Sequence, residues 1–174
     1  MVEQDHDCEA SVQARRATKE FPYHFVESGL PNVYLVGIRY FVCQKCQKQS
    51  AEIPAVNQLL RALARTLVEK GTTLTGEELR FLRKRLRKKA IEMAEVLAVE
   101  PEHYSRLETG KLQISAASDK IVRAYYALQS SDPMLKKSAV LKQLWETRSK
   151  SQRTANIAAS LAKGSQWKAG LHAA

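Results

Sequence analysis

Cys43-Gln-Lys-Cys46 is the pair whose spacing points most directly to chemistry in this chain. A C-x2-C pair lets two thiolates share one tetrahedral zinc from a tight backbone turn. It supplies half a site. The other half would come from Asp5-His-Asp-Cys8, where Cys8 is accompanied by either His6 or Asp5. The set chosen is His6, Cys8, Cys43 and Cys46 around Zn2+, with the fourth ligand the least defined. Two ordinary thiols or a redox pair are the alternatives. A redox pair normally precedes a helix in a βαβ setting, which this segment is not. A β module of about fifty residues needs a staple to fold alone, which favours zinc. Three cysteines, an odd number, argue against a disulfide framework.

The second constellation is the polar face of Pro101–Thr109. Glu102, His103 and Arg106 carry the donors and acceptors that read base edges, Arg106 suiting a guanine and Glu102 a cytosine amino group. Lys88, Lys89, Ser105 and Lys111 are placed to hold flanking phosphates, which add affinity without sequence information. From Arg83 to Lys89 every residue except Leu86 is Lys or Arg. Such a run is usually a solvated face, but it repels itself unless an anion lies near, and phosphates would fit. No Ser/His/Asp set, paired carboxylates or Gly-rich phosphate loop is present, and the histidines at 6, 24, 103 and 172 share no helical face. The chain is therefore not expected to be an enzyme.

The elements that must position these residues follow from local patterns. Thr75-Gly-Glu-Glu78 is a capping box that starts a helix at about Gly76, with Leu79, Leu82 and Leu86 on one face. Met93, Ala94 and Leu97 supply the apolar side of a second helix, and the small Ala94 permits close helix approach. Ala98 and Val99 make the turn, Pro101 starts the third helix, Tyr104 and Leu107 point inward, and Gly110 stops it. Upstream, Phe21–Glu27 and Val33–Cys43 are rich in aromatic and β-branched residues around the turn-forming Glu27-Ser-Gly-Leu-Pro-Asn32, which predicts a β-hairpin whose second strand delivers Cys43. Between the modules, Val56, Leu59, Leu60, Leu63 and Leu67 form the apolar stripe of a helix opened by Pro54 and closed by Gly71. Beyond them, Leu135, Val140, Leu141, Leu144 and Trp145 predict a C-terminal helix over Pro133–Arg148, which packs on the bundle or pairs two subunits. From Ser149 the Ser-, Ala- and Lys-rich chain reads as a basic, largely flexible tail, with a DNA-gripping arm as the sharper alternative.

The chain of 174 residues, 44% hydrophobic, has material for a real core. Its formal charge of +10 is uneven, with +1 in residues 1–75, +3 in 76–130 and +6 in 131–174. The expected organisation is α+β: a zinc-ribbon-like hairpin module (1–52), a linker helix (53–74), an all-α helix-turn-helix domain that resembles the phage-repressor (Xre) type (75–130), and a C-terminal helix with basic tail (131–174). No apolar run is long enough to span a bilayer, and the N-terminus is acidic rather than a basic-then-apolar signal. A cytoplasmic protein with no membrane partner is expected.

These residues carry a resemblance. Tyr23–Thr109 resembles the MqsA-type (YgiT-type) zinc-finger and helix-turn-helix antitoxin family in YHFVESGLPNVYLVGI, in the C-x2-C that follows, in LTGEELRFLRK and in LAVEPEHYSRLETGK, about half of the chain. The hairpin and TGEELRFLRK motifs are particular to that group, whereas the third helix alone would match the wider class of Cro and phage repressors. The resemblance implies that the zinc module binds a toxin and that the helix-turn-helix dimerises and represses its own operon. It therefore implies duplex DNA, a second copy of the chain and a toxin protein as partners. The chain departs from the family pattern at Asp5, where the first cysteine stands, and at Glu9 and Gln47, where glycine follows a knuckle cysteine. It departs again at Lys89 and Ala90 in place of a Ser or Thr cap and a small polar residue, at Ala98 in place of glycine, and at Glu100 in place of a Ser or Asp cap. Those changes predict reduced metal affinity or loss of the metal site, and a phosphate grip stronger than base discrimination. The alternatives are a plain helix-turn-helix regulator with no toxin partner, or an interaction module using the N-terminal β-hairpin.

Overall fold

The computed structural model describes residues 11–135, 137–146, 155–162 and 166–172, and it is α+β. Val12–Arg16 (β1) pairs antiparallel with Arg39–Cys43 (β4), which pairs in turn with Gln49–Glu52 (β5). Tyr23–His24 (β2) and Val33–Val36 (β3) form the expected hairpin. Its turn contains a single 3-10 turn, Val26–Ser28, closed by Gly29 at φ 81, a left-handed conformation that glycine adopts without a Cβ penalty.

The expected single strand Val33–Cys43 is broken. Gly37 takes φ 88, and β3 and β4 fall in different sheets. Ala17 fastens the break from the side: its N–H donates to Ile38 O, and its carbonyl accepts from Gly37 N, each at 2.9 Å.

A larger correction concerns the C-terminus. The segment expected as a flexible tail contains two strands, Asn156–Ala162 (β6) and Gln166–His172 (β7). β6 lies parallel to β3, so the second sheet runs β2-β3-β6-β7. Ile157 and Ala159 are fully buried and Leu161 partly so, a period-two pattern with one face inward. Alanine is depleted in strands, so an Ala-rich strand gives little local signal. Residues 147–154 and the Gly164-Ser165 break lie outside the described residues.

Val56–Glu69 (α1) occupies the position expected of a linker, yet Leu59, Leu63 and Leu67 are completely buried. Trp167 of β7 donates its indole N–H to Pro54 O at 2.8 Å, fastening the C-terminal hairpin to the start of α1. Four further helices follow: Gly76–Arg85 (α2), Ala90–Leu97 (α3), Pro101–Glu108 (α4) and Ala116–Gln129 (α5). Lys137–Glu146 (α6) then packs on α5, within the span predicted for a C-terminal helix, with Leu144 buried. Buried side chains form one continuous core from Ala17 to Trp167 that crosses the expected boundaries at 52, 74 and 130.

The junction between α1 and the later helices is polar and buried. Arg123 on α5 is 2% exposed, and its guanidinium donates to the carbonyls of Leu67, Val68, Lys70 and Thr72. A cation there satisfies carbonyls left over at the end of α1 and complements the helix dipole. Arg123 Nε lies 3.0 Å from Asp119 Oδ2, and Asp119 Oδ1 accepts from Leu74 N at 2.8 Å. Next to it, Lys70 and Glu78 form a second buried pair. Burial pulls the Lys70 ammonium below the usual lysine range, against the opposing pull of the Glu78 carboxylate.

Candidate nucleic-acid interface

The predicted capping box forms as written. Thr75 Oγ1 accepts from Glu78 N at 3.3 Å, and Glu78 Oε2 accepts from Thr75 N at 2.7 Å. Gly76, immediately inside the cap, has a second role that the cap pattern does not reveal. A Cβ there would stand 2.6 Å from Leu107 O, 2.7 Å from Glu108 O and 2.9 Å from Gly110 N. The first turn of α2 thus rests directly on the backbone at the end of α4.

α3 ends in a turn with Ala98 at φ 52, ψ 46, and Val99 N donates to Ala94 O at 3.0 Å. This is the glycine-type helix stop with an alanine in the left-handed position. The Cβ makes that conformation unfavourable by roughly 1–2 kcal/mol. Ala98→Gly is therefore expected to raise stability by about 1 kcal/mol in urea denaturation, after glycine's extra chain entropy is subtracted. An unchanged or lowered midpoint would refute the strain.

On α4, Tyr104 and Leu107 are buried, while Glu102, His103, Ser105 and Arg106 are exposed on its outer side, as the helical period predicts. Lys111 is exposed just beyond Gly110, which takes φ 73, and Leu112 N donates back to Arg106 O at 3.1 Å. Lys88 and Lys89 stand at the start of α3.

The angle of α4 is set by a buried carboxylate. Arg83 on α2 grips Glu108 with two bonds, Nε to Oε1 at 2.6 Å and Nη2 to Oε2 at 3.0 Å, and donates from Nη1 to Lys88 O at 2.8 Å. The Glu108 carboxylate raises the Arg83 pKa above the ordinary arginine value. Burial, reinforced by that same carboxylate, keeps the Tyr104 phenol protonated far above the usual tyrosine range.

The basic run is therefore not one uniform face. Arg83 is committed to Glu108. Lys88 Nζ lies 2.7 Å from Glu92 Oε1, while the other Glu92 oxygen accepts from Lys89 N at 2.7 Å. Lys88 and Lys89 draw the Glu92 carboxyl below its usual range. The anions that relieve the run include two of the chain's own glutamates. Of the three lysines expected on phosphates, Lys89 and Lys111 keep their ammoniums outside any ion pair among the described residues, whereas Lys88 must leave Glu92 first. Lys84, Arg85 and Arg87 cluster around the end of α2, where cations suit the helix dipole. Arg87 itself sits at φ 57, a second left-handed residue closing a helix.

The candidate metal ligands divide between described and undescribed residues. Cys43 ends β4 and is buried, whereas Cys46 is exposed on the turn that joins β4 to β5, with no disulfide between them. Gln47 adopts φ 58, the conformation for which a knuckle prefers glycine. Ser11 Oγ donates to Gln44 Oε1 at 3.0 Å, and Gln44 N donates to Ser11 O at 3.2 Å, so the chain beyond β1 leaves from beside this turn. Cys8 precedes Ser11 by three residues, a tether of about 10 Å at full extension. The two thiols at Cys43 and Cys46 are donors of the kind that zinc accepts. His6 and Cys8, like Asp5 and Glu9, lie outside the described residues, and among the described residues no three His, Cys, Asp or Glu side chains gather as a metal site.

Sequence reasoning overlooked Glu108, Arg123 and α5. The cap that starts α5 was available: Ser115 Oγ accepts from Ser118 N at 3.0 Å, and Val122 and Tyr126 follow at helical spacing. Asp119 and Arg123 likewise stand at i,i+4 on one helix, but the Arg83 partner of Glu108 and the carbonyls that Arg123 holds at the end of α1 had no comparable local signal. Among the described residues no helix is long and apolar enough to cross a membrane. No family model, curated protein or solved structure matches this chain.

Proposed function

We infer that this protein is a DNA-binding transcriptional regulator in which α3 and α4 act as a helix-turn-helix, with α4 entering the major groove. The observation that carries this reading is the outer face of α4. Glu102, His103, Ser105 and Arg106 stand together in solvent on a helix fixed by Gly76 and by the Arg83–Glu108 pair. Rigid support is what base readout requires, because bidentate contacts tolerate little displacement. A homodimer on a palindrome is the expected form, since one such helix reads only a few base pairs. Exposed Ile121 on α5 offers an apolar residue for the subunit contact.

Selection from random oligonucleotides tests the function. A motif should emerge, and Arg106→Ala should flatten it at one position per half-site, at a cost of about 1–3 kcal/mol. Recovery of no motif by the wild-type protein would refute sequence-specific recognition. Lys89→Ala should weaken all duplexes alike and lower the salt slope by about 1, whereas Lys88→Ala should do less because its Glu92 partner already competes. Equal salt slopes for wild type and Lys89→Ala would remove Lys89 from the phosphate set.

The antitoxin role rests on the resemblance of Tyr23–Thr109. A toxin would dock on the N-terminal sheet module, with zinc held by Cys43, Cys46, Cys8 and His6, serving structure rather than reaction. Metal analysis of the purified protein should give one zinc per chain, lost in Cys46→Ser. Metal-free wild type with a clear DNA motif would leave the plain regulator.

A further inference from the structure

A cleft of about 410 Å³ opens between α1, the end of α2 with its following loop, and the end of α5. Arg61, Lys84, Arg85, Arg87 and Lys88 all line it, against one carboxylate, Asp132. That carboxylate is already matched, with Arg65 Nη1 2.5 Å from its Oδ2 and Met134 N donating to its Oδ1 at 3.0 Å. Lys88 is held by Glu92. Arg61, Lys84, Arg85 and Arg87 are left with no ion pair among the described residues.

Two observations mark this cleft as more than a solvated helix end. Arg85 Nε is buried and has no hydrogen-bond partner among the described residues. A buried, unpaired N–H of a charged group is costly, and an incoming oxygen would relieve it. Arg87 is held in a left-handed conformation, and such strain concentrates at ligand sites. The volume is that of a small-molecule site, and the polar, cationic lining rules out an apolar occupant.

We propose that this cleft binds a compact oligophosphate anion, either the phosphate chain of a nucleoside di- or triphosphate or a short inorganic polyphosphate. Unmatched cations at Arg61, Lys84, Arg85 and Arg87 suit a ligand of on the order of three or four negative charges, and the guanidiniums among them offer forked donors to phosphate oxygens. Glu102, His103, Arg106 and Lys111 take no part in lining it, so it is separate from the proposed base-reading face. Lys88 borders the cleft and also belongs to the expected DNA-phosphate set, so occupancy should alter DNA affinity. That coupling rests on the DNA-binding reading; binding of the anion does not.

Calorimetric titration of the full chain at constant ionic strength decides the matter, with inorganic tripolyphosphate, ATP and orthophosphate as probes. Tripolyphosphate and ATP should saturate with a Kd below about 1 mM, and orthophosphate should bind at least about tenfold more weakly. Equal affinities for the first two identify the phosphate chain as the whole ligand, and tighter ATP binding identifies a nucleotide; either result supports the site. Arg61→Gln with Arg85→Gln should weaken tripolyphosphate at least about tenfold, and Lys19→Gln, exposed and outside the cleft, should leave it unchanged. If circular dichroism shows that the first pair unfolds the protein, Lys84→Gln with Arg87→Gln, both exposed, replaces it. No saturable binding, or equal affinity in wild type and cleft variants, overturns the proposal. So does loss of random-duplex binding in the Lys84/Arg87 variant when tripolyphosphate does not bind, because the cleft would then be a wall of the DNA site.

Discussion

Arg123→Met is expected to lower the unfolding free energy by about 3–5 kcal/mol, the cost of leaving a buried charge without its partner. Asp119, 2% exposed, would lose its cation, and four carbonyls around the end of α1 would lose their donor. Methionine keeps much of the length and volume but supplies no N–H. Urea denaturation of the variant measures the loss. A companion Asp119→Asn, Arg123→Met double variant should recover part of it, because the stranded carboxylate is then neutral. A single-variant loss below about 1 kcal/mol would mean that water enters the junction and replaces the guanidinium.

Gly76→Ala is expected to cost about 1–3 kcal/mol, as overpacking does when neighbours cannot yield. The atoms in the way are Leu107 O, Glu108 O and Gly110 N, all backbone, so no side-chain rotation makes room. Alanine is otherwise the better helix former, and propensity alone predicts the opposite sign. Because the clash falls on the end of α4, DNA affinity should drop beyond what Arg106→Ala produces, with the specificity profile broadened at every position. Glu77→Ala, one residue on and exposed, serves as the control and should leave both stability and DNA binding near wild type. A Gly76→Ala protein as stable as wild type would show that α2 and α4 slide apart readily.

The region from Thr75 to Gly110 was legible because its signals are short-range. A capping box acts over three residues, the Tyr104 and Leu107 spacing lies within one helical turn, and Pro101 and Gly110 mark their own helix ends. The β2–β3 hairpin announced itself through its turn residues in the same way. Its continuation did not. Glycine permits a left-handed bend without requiring one, and only the fastening of Gly37 and Ile38 to Ala17 breaks Val33–Cys43 into strands of two sheets. The C-terminal strands were illegible for a related reason: Ala158 and Ala159 favour no strand until β3 lies alongside to accept them.

The sequence by itself determined the helices around α3 and α4, the caps and turns that bound them, and the solvent face that carries Glu102, His103, Ser105 and Arg106. Tertiary structure alone decided which charges are available to a ligand. Arg83 belongs to a dense basic run on paper, but in the fold it is committed to Glu108, 25 residues away. Arg123 is committed to the end of α1, 56 residues away at Leu67. Tertiary structure also decided that the C-terminal hairpin completes the N-terminal sheet, with Asn32 donating to Ala155 O across 123 residues. Local propensity and helical period act within a few residues, whereas pairing of buried charges and of parallel strands depends on the loops that fold distant segments together.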